Sequence, residues 1–231
     1  MAQQSPPRGS DNLVEVAAGI VRLEGNLTVP EHAQALVLFA HGSGSSRHSP
    51  RNRHVAQVLC EAGLATLLID LLTTEEEAID AQTGHLRFNI DLLAERLVEA
   101  TDWVDQNPDT ANLAIGYFGA STGAAAALVA AADRPELIHA VVSRGGRPDL
   151  AGPVLYRVRA PTLLIVGGAD LPVIALNRQA LALLGAQVKK LIIVPGATHL
   201  FEEPGALDEV ARLAADWFTR HLSRSAVAPL S

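Results

Sequence analysis

Short apolar runs punctuate this chain at Ala35–Ala40, Ala65–Ile69, Leu113–Phe118, Ala140–Ser143, Thr162–Val166 and Leu191–Val194. Each is continuously apolar rather than alternating, as a strand reads when both faces of its sheet are covered. Between them, apolar positions recur with helical spacing at about 51–63, 88–106, 122–132, 174–185 and 205–222. Strand and helix in alternation predict right-handed crossovers and a mostly parallel α/β sheet of about eight strands with helices on both faces. The beginning differs. From Leu13 to Val29, β-prone stretches interrupted by Gly19 and Gly25 predict an antiparallel hairpin. Residues 1–11 are polar and proline-bearing and read as a flexible lead. With no repeat and no second composition regime, one domain over 1–231 is expected.

Composition narrows the function classes. A net charge of -7 argues against nucleic acid, which needs clustered Lys and Arg over a broad face. No apolar run reaches the roughly 18 residues that span a bilayer. The N-terminal stretch lacks the basic and apolar regions of a signal peptide. The lone Cys60 excludes an internal disulfide framework and, within a helical pattern, reads as a small packed hydrophobe. The expectation is a cytoplasmic protein that takes a small-molecule substrate, without membrane insertion, nucleic acid, metal or cofactor.

In a parallel sheet the site lies at the carboxyl ends of the strands. The residues following each apolar run are therefore the informative ones. They read His41-Gly-Ser-Gly, Asp70, Gly119-Ala-Ser-Thr-Gly, Arg144-Gly-Gly, Gly167-Gly-Ala-Asp170 and Gly196-Ala-Thr-His199. Gly119-Ala120-Ser121-Thr122-Gly123 is a G-x-S-x-G sequence between a strand and a strong helix former, Ala124-Ala-Ala-Ala-Leu-Val-Ala. Such a turn exposes the serine hydroxyl and aims the free N–H groups of a helix N-terminus at developing negative charge. The bland alternative for Ser121 is a helix cap.

A serine nucleophile needs a base, and the base an orienting carboxylate. The strand–turn–helix placing of this G-x-S-x-G sequence resembles the α/β-hydrolase arrangement, which implies that both follow the nucleophile in the chain. His139 opens an apolar run at the sheet's amino end, and His221 falls in the last turn of the C-terminal helix. His199, in a loop directly after a strand, remains. Asp170 ends a strand that runs into a Gly-Gly turn beside that loop. Its alternatives are a cap for the following helix, or a role ceded to Asp149. For the oxyanion, Thr122 supplies one backbone N–H and Ser43, in the small-residue loop after the first parallel strand, the other. His41 reads as holding that loop.

Assembled, these residues resemble the α/β-hydrolase superfamily over nearly the full length. Within it, they are similar to the small, lidless dienelactone-hydrolase-like branch. The resemblance rests on His41-Gly-Ser-Gly, Gly119-Ala-Ser-Thr-Gly, Gly167-Gly-Ala-Asp170 and Thr198-His199. It implies an acyl-enzyme mechanism on carboxylic esters with no lid domain, because the gap between Ser143 and Thr162 holds little chain. Dienelactone hydrolases use a cysteine nucleophile, and Ser121 stands at that position here, which favours ordinary ester hydrolysis. A perhydrolase or acyltransferase would use the same triad, with peroxide or an alcohol replacing water. A non-catalytic dinucleotide-binding module is disfavoured, because the glycine spacing is not G-x-G-x-x-G.

Arg144 and Gly44 are candidate substrate contacts; for Arg144 a structural hydrogen bond is the competing reading. Arg47, His48, Arg51, Arg53 and His54 form a basic cluster, and Glu75–Asp80 an acidic run in the loop after the next strand. Pairing between these two segments is expected, with anion binding by the basic one as the alternative. Trp103, Trp217 and Phe218 sit at helical spacings and are read as core.

Overall fold

The computed structural model describes residues 11–222. All but one residue of the flexible lead expected over 1–11 therefore lies outside the described residues. Eight strands form one sheet: β1 (Asn12–Ala18), β2 (Val21–Thr28), β3 (Ala35–Ala40), β4 (Ala65–Ile69), β5 (Ala114–Ala120), β6 (Ile138–Arg144), β7 (Thr162–Gly167) and β8 (Lys189–Val194). Their spatial order is β1-β2-β4-β3-β5-β6-β7-β8. β1 pairs antiparallel with β2, and β2 antiparallel with β4; every later pairing is parallel. The hairpin turns at Gly19 alone. Gly25 lies inside β2, opposite Ile69, where a Cβ would come within 3.0 Å of Leu67 Cδ1.

The apolar runs are continuous because successive side chains serve different cores. Leu36, Leu38 and Ala40 of β3 face one hydrophobic cluster, while Ala35, Val37 and Phe39 face the other. The first cluster is closed by α3 (Ile90–Gln106), α4 (Thr122–Asp133) and part of α5 (Leu171–Leu183). The second is closed by α1 (Pro50–Glu61) and α6 (Ala206–His221). Trp217 and Phe218 are buried in the second cluster, and Trp103 packs against the first. No helix among the described residues is long and apolar enough to cross a membrane.

One helix was not expected. The acidic run forms α2 (Thr74–Thr83), not a loop, and α2 begins with a capping box. The Thr73 hydroxyl accepts from Glu76 N–H at 3.2 Å, and the Glu76 carboxylate accepts from Thr73 N–H at 2.8 Å. No ion pair among the described residues joins the basic and acidic segments, where pairing was expected. Arg47 binds Asp70 and Glu24, Arg51 reaches Glu202, Arg53 Asp11 and His54 Asp208. On α2, Glu76 goes to Arg96 and Asp80 to Arg87. Both segments find nearer partners. Between β6 and β7 the chain makes only 3-10 turns over Pro148–Arg157, kinked at Gly152, and inserts no lid. Asp149 sits in the first of these turns without capping it; Arg147 holds it through two bonds of 2.8 and 2.7 Å.

Candidate active site

Ser121 joins β5 to α4 with φ 51° and ψ -120°. A positive φ on a residue with a Cβ costs on the order of 1–3 kcal/mol and must be over-determined by its surroundings. Here three backbone bonds do so: Ser121 N–H to Arg144 O at 3.2 Å, and Ala124 N–H and Arg147 N–H to Ser121 O, each at 3.1 Å. The flanking glycines make the turn sterically feasible. A Cβ on Gly119 would lie 2.8 Å from Ala124 N, and one on Gly123 would overlap the carbonyl oxygens of Ala40 and His41. Gly123→Ala should therefore force α4 away from β3. We expect a loss of about 1–3 kcal/mol, or roughly 2–12 °C in Tm for a chain of this size, measurable by thermal melting.

Ser121 occupies the N-cap position of α4, yet its side chain makes no cap hydrogen bond. Asp170 occupies the N-cap position of α5 and likewise caps nothing. Its Oδ2 instead accepts from His199 Nδ1 at 2.7 Å. Glycine makes that meeting feasible too. The loop after β7 is zipped to the loop after β8 by Gly168 N–H to Val194 O at 2.8 Å and Ala169 N–H to Ala197 O at 2.9 Å. A Cβ on Gly167 would collide with the Ala197 and Thr198 carbonyls. The His199 ring lies over Gly145, at the end of β6 one strand from Ser121, where a Cβ would stand 3.5 Å from Nδ1. No hydrogen bond among the described residues joins Ser121 Oγ to His199. Such bonds are often long before substrate binds.

The loop after β3 approaches the same point. A Cβ on Gly42 would be 3.0 Å from Ser121 Cβ. Leu71 N–H donates to His41 Nε2 at 3.1 Å, so that nitrogen carries no proton, and Nδ1–H faces Gly42 O at 3.0 Å. His41 thus holds the loop as a neutral ring. Ser43 N–H, expected to point at an oxyanion, is engaged by the Thr122 hydroxyl at 2.9 Å. Gly44, at φ 69°, lines a cavity of about 340 Å³ beside this loop.

Arg144 is not among the residues lining that cavity. Its side chain is buried and donates to Asn52 Oδ1 at 3.2 Å, and burial followed by the nearby Arg51 lowers its pKa to about 10. The structural reading of this residue fits that environment better than substrate contact. Cys60 contacts the Thr66 hydroxyl at 3.4 Å, and burial pushes its thiol pKa up, disfavouring thiolate chemistry there. No group of three or more His, Cys, Asp or Glu among the described residues is arranged to hold a metal ion.

Comparison with known proteins gives the family and the fold. A crystal structure of dienelactone hydrolase from Anabaena variabilis is 66% identical, with a TM-score of 0.91 over 92% of this chain and 98% of that one. Est1E from Butyrivibrio proteoclasticus shares the fold at 16% identity and a TM-score of 0.77, covering 93% of this chain and all of its own. A Mycobacterium tuberculosis protein provisionally named a phosphoribosyl transferase is 60% identical over 221 residues, 96% of this chain. Those residues make up 48% of that relative, so the chain spans about half its length. The dienelactone hydrolase family model matches residues 23–224. The chain belongs to the dienelactone hydrolase family and has the α/β-hydrolase fold.

Proposed function

We propose that this chain hydrolyses carboxylic esters through an acyl-enzyme, with Ser121 as nucleophile, His199 as general base and acid, and Asp170 as the carboxylate that orients the ring. One observation carries the reading. A serine and an aspartate at helix N-cap positions both leave their caps unmade, and the aspartate binds a histidine that a glycine-lined loop brings to the serine's end of the sheet.

The chemistry follows from that arrangement. The Asp170 carboxylate keeps the proton on His199 Nδ1 and leaves Nε2 free to take the hydroxyl proton as Ser121 Oγ attacks the ester carbon. The tetrahedral oxyanion meets the backbone N–H of Thr122 at the head of α4. It shares the Ser43 N–H with the Thr122 hydroxyl or takes it over. His199 then gives its proton to the departing alcohol. Water attacks the acyl-enzyme by the same steps in reverse roles and releases the acid. Peroxide or a second alcohol in place of water would give perhydrolysis or acyl transfer. The phosphoribosyl transferase name belongs to proteins about twice this length and has no counterpart in the residues gathered at this site.

Labelling with a fluorophosphonate probe tests the reading. Wild-type protein should be modified at Ser121, and Ser121→Ala should not react. An unlabelled wild type, or a variant labelled as strongly, would overturn it.

A further inference from the structure

The cavity beside the loop after β3 adjoins the nucleophile: Gly42 lines it, and a Cβ on Gly42 would stand 3.7 Å from Ser121 Oγ. On the hydrolytic reading, the leaving alcohol must take its proton from His199 and so lies on that side. The cavity contains no residue of the His199 loop and is left for the acyl group. Leu72 and Leu93 supply its apolar wall, and Glu77, Asp80 and Arg87 its charges.

Those charges do not balance. Asp80 and Arg87 offset one another: Nε of the guanidinium binds the Asp80 carboxylate and Nη2 donates to Asp80 O at 2.9 Å, leaving Nη1 on the side of Gly44, while the carboxylate accepts from Leu86 N–H at 2.7 Å and Arg87 N–H at 3.1 Å. His41, also in the lining, is held neutral by Leu71 N–H. Arg47 is already shared between Asp70 and Glu24. Glu77 has no hydrogen bond to its carboxylate and no ion pair among the described residues. Partial burial, then Asp70, raises its pKa above the ordinary carboxylate value.

We infer that Glu77 sets substrate preference at this site, so that the cavity accepts neutral or cationic acyl groups and rejects acyl groups ending in a carboxylate. The inference rests on the ester-hydrolase reading. Two like charges facing one another in a solvent-connected cavity repel enough to weaken an anionic substrate by about 10-fold or more.

The test uses the full chain and three 4-nitrophenyl esters of matched length, whose acyl groups end in methyl, carboxylate or trimethylammonium. Wild type should give kcat/KM for the anionic ester roughly 10-fold or more below the neutral one, with the cationic ester equal to the neutral one or better. Raising salt to about 1 M should shrink the gap, because screening then acts within a few ångströms. Glu77→Gln should close most of the anionic-to-neutral gap. Glu75→Gln, the same charge change on the same helix but outside the cavity, should retain the wild-type ratio. An anionic ester turned over as fast as the neutral one, or a ratio unchanged in Glu77→Gln, would overturn the inference while leaving the hydrolase reading intact. Failure of all three esters together with an unlabelled Ser121 would overturn both.

Discussion

Ser121→Ala should lower kcat for a 4-nitrophenyl ester by roughly 10⁴- to 10⁶-fold while leaving the fold intact. The hydroxyl is the one atom pair the substitution removes, and it makes no cap bond whose loss could loosen α4. Alanine pays the same positive-φ penalty as serine, so melting should move by no more than a few degrees. His199→Ala should cost a comparable factor, because without the ring the hydroxyl keeps its proton. The two losses should not add. Once either member is gone, the other has nothing to act on, and what remains is the N–H donors at the head of α4. Steady-state rates for both single variants and the double variant measure this directly. A Ser121→Ala protein retaining a few per cent of wild-type turnover, or a double variant far below either single one, would show that catalysis lies elsewhere.

Much of the fold, and the contact between Asp170 and His199, is legible in the sequence. The parallel strands announced themselves because each must be apolar on both faces, as Leu36 and Val37, neighbours in sequence and opposed in space, illustrate. Chain order separated His199 from His139 and His221, and the Gly-Gly turn before Asp170 marked the carboxylate. Helix α2 was hidden by its own charge: Glu75, Glu76 and Glu77 leave almost no apolar stripe, so its periodicity is silent. The signal that could have revealed it is Thr73-Thr-Glu-Glu76, the spacing of a capping box. Partner choice was less legible, for a geometric reason. Arg47 and Arg51 are close in sequence, but one meets Asp70 and Glu24 while the other turns to Glu202. Nothing in the pattern tells which way a long side chain leaves its loop. Nor could the sequence show that the Thr122 hydroxyl would claim Ser43 N–H, since those residues stand 79 apart and meet only because Gly123 lets α4 press against the end of β3.

The second large effect concerns a side chain that touches no substrate. Asp170→Asn should reduce kcat by about 10⁴-fold at neutral pH. The present carboxylate can only accept, so the 2.7 Å bond requires the proton on His199 Nδ1 and frees Nε2 for the serine. An amide in its place can turn its NH₂ toward Nδ1. The ring then carries its proton on Nε2 and faces Ser121 with a donor where an acceptor is needed. Stability should hardly change, because asparagine serves the N-cap position of α5 as well as aspartate does and Asp170 makes no cap bond to lose. Asp149 is the discriminating control. It follows the preceding strand, β6, and was the rival carboxylate, but its two oxygens are taken by Arg147 at 2.8 and 2.7 Å. Asp149→Asn should therefore leave kcat within a few-fold of wild type. If the two asparagine variants exchanged these outcomes, the carboxylate that orients the histidine would be Asp149, and the loop after β8 would have to move to reach it.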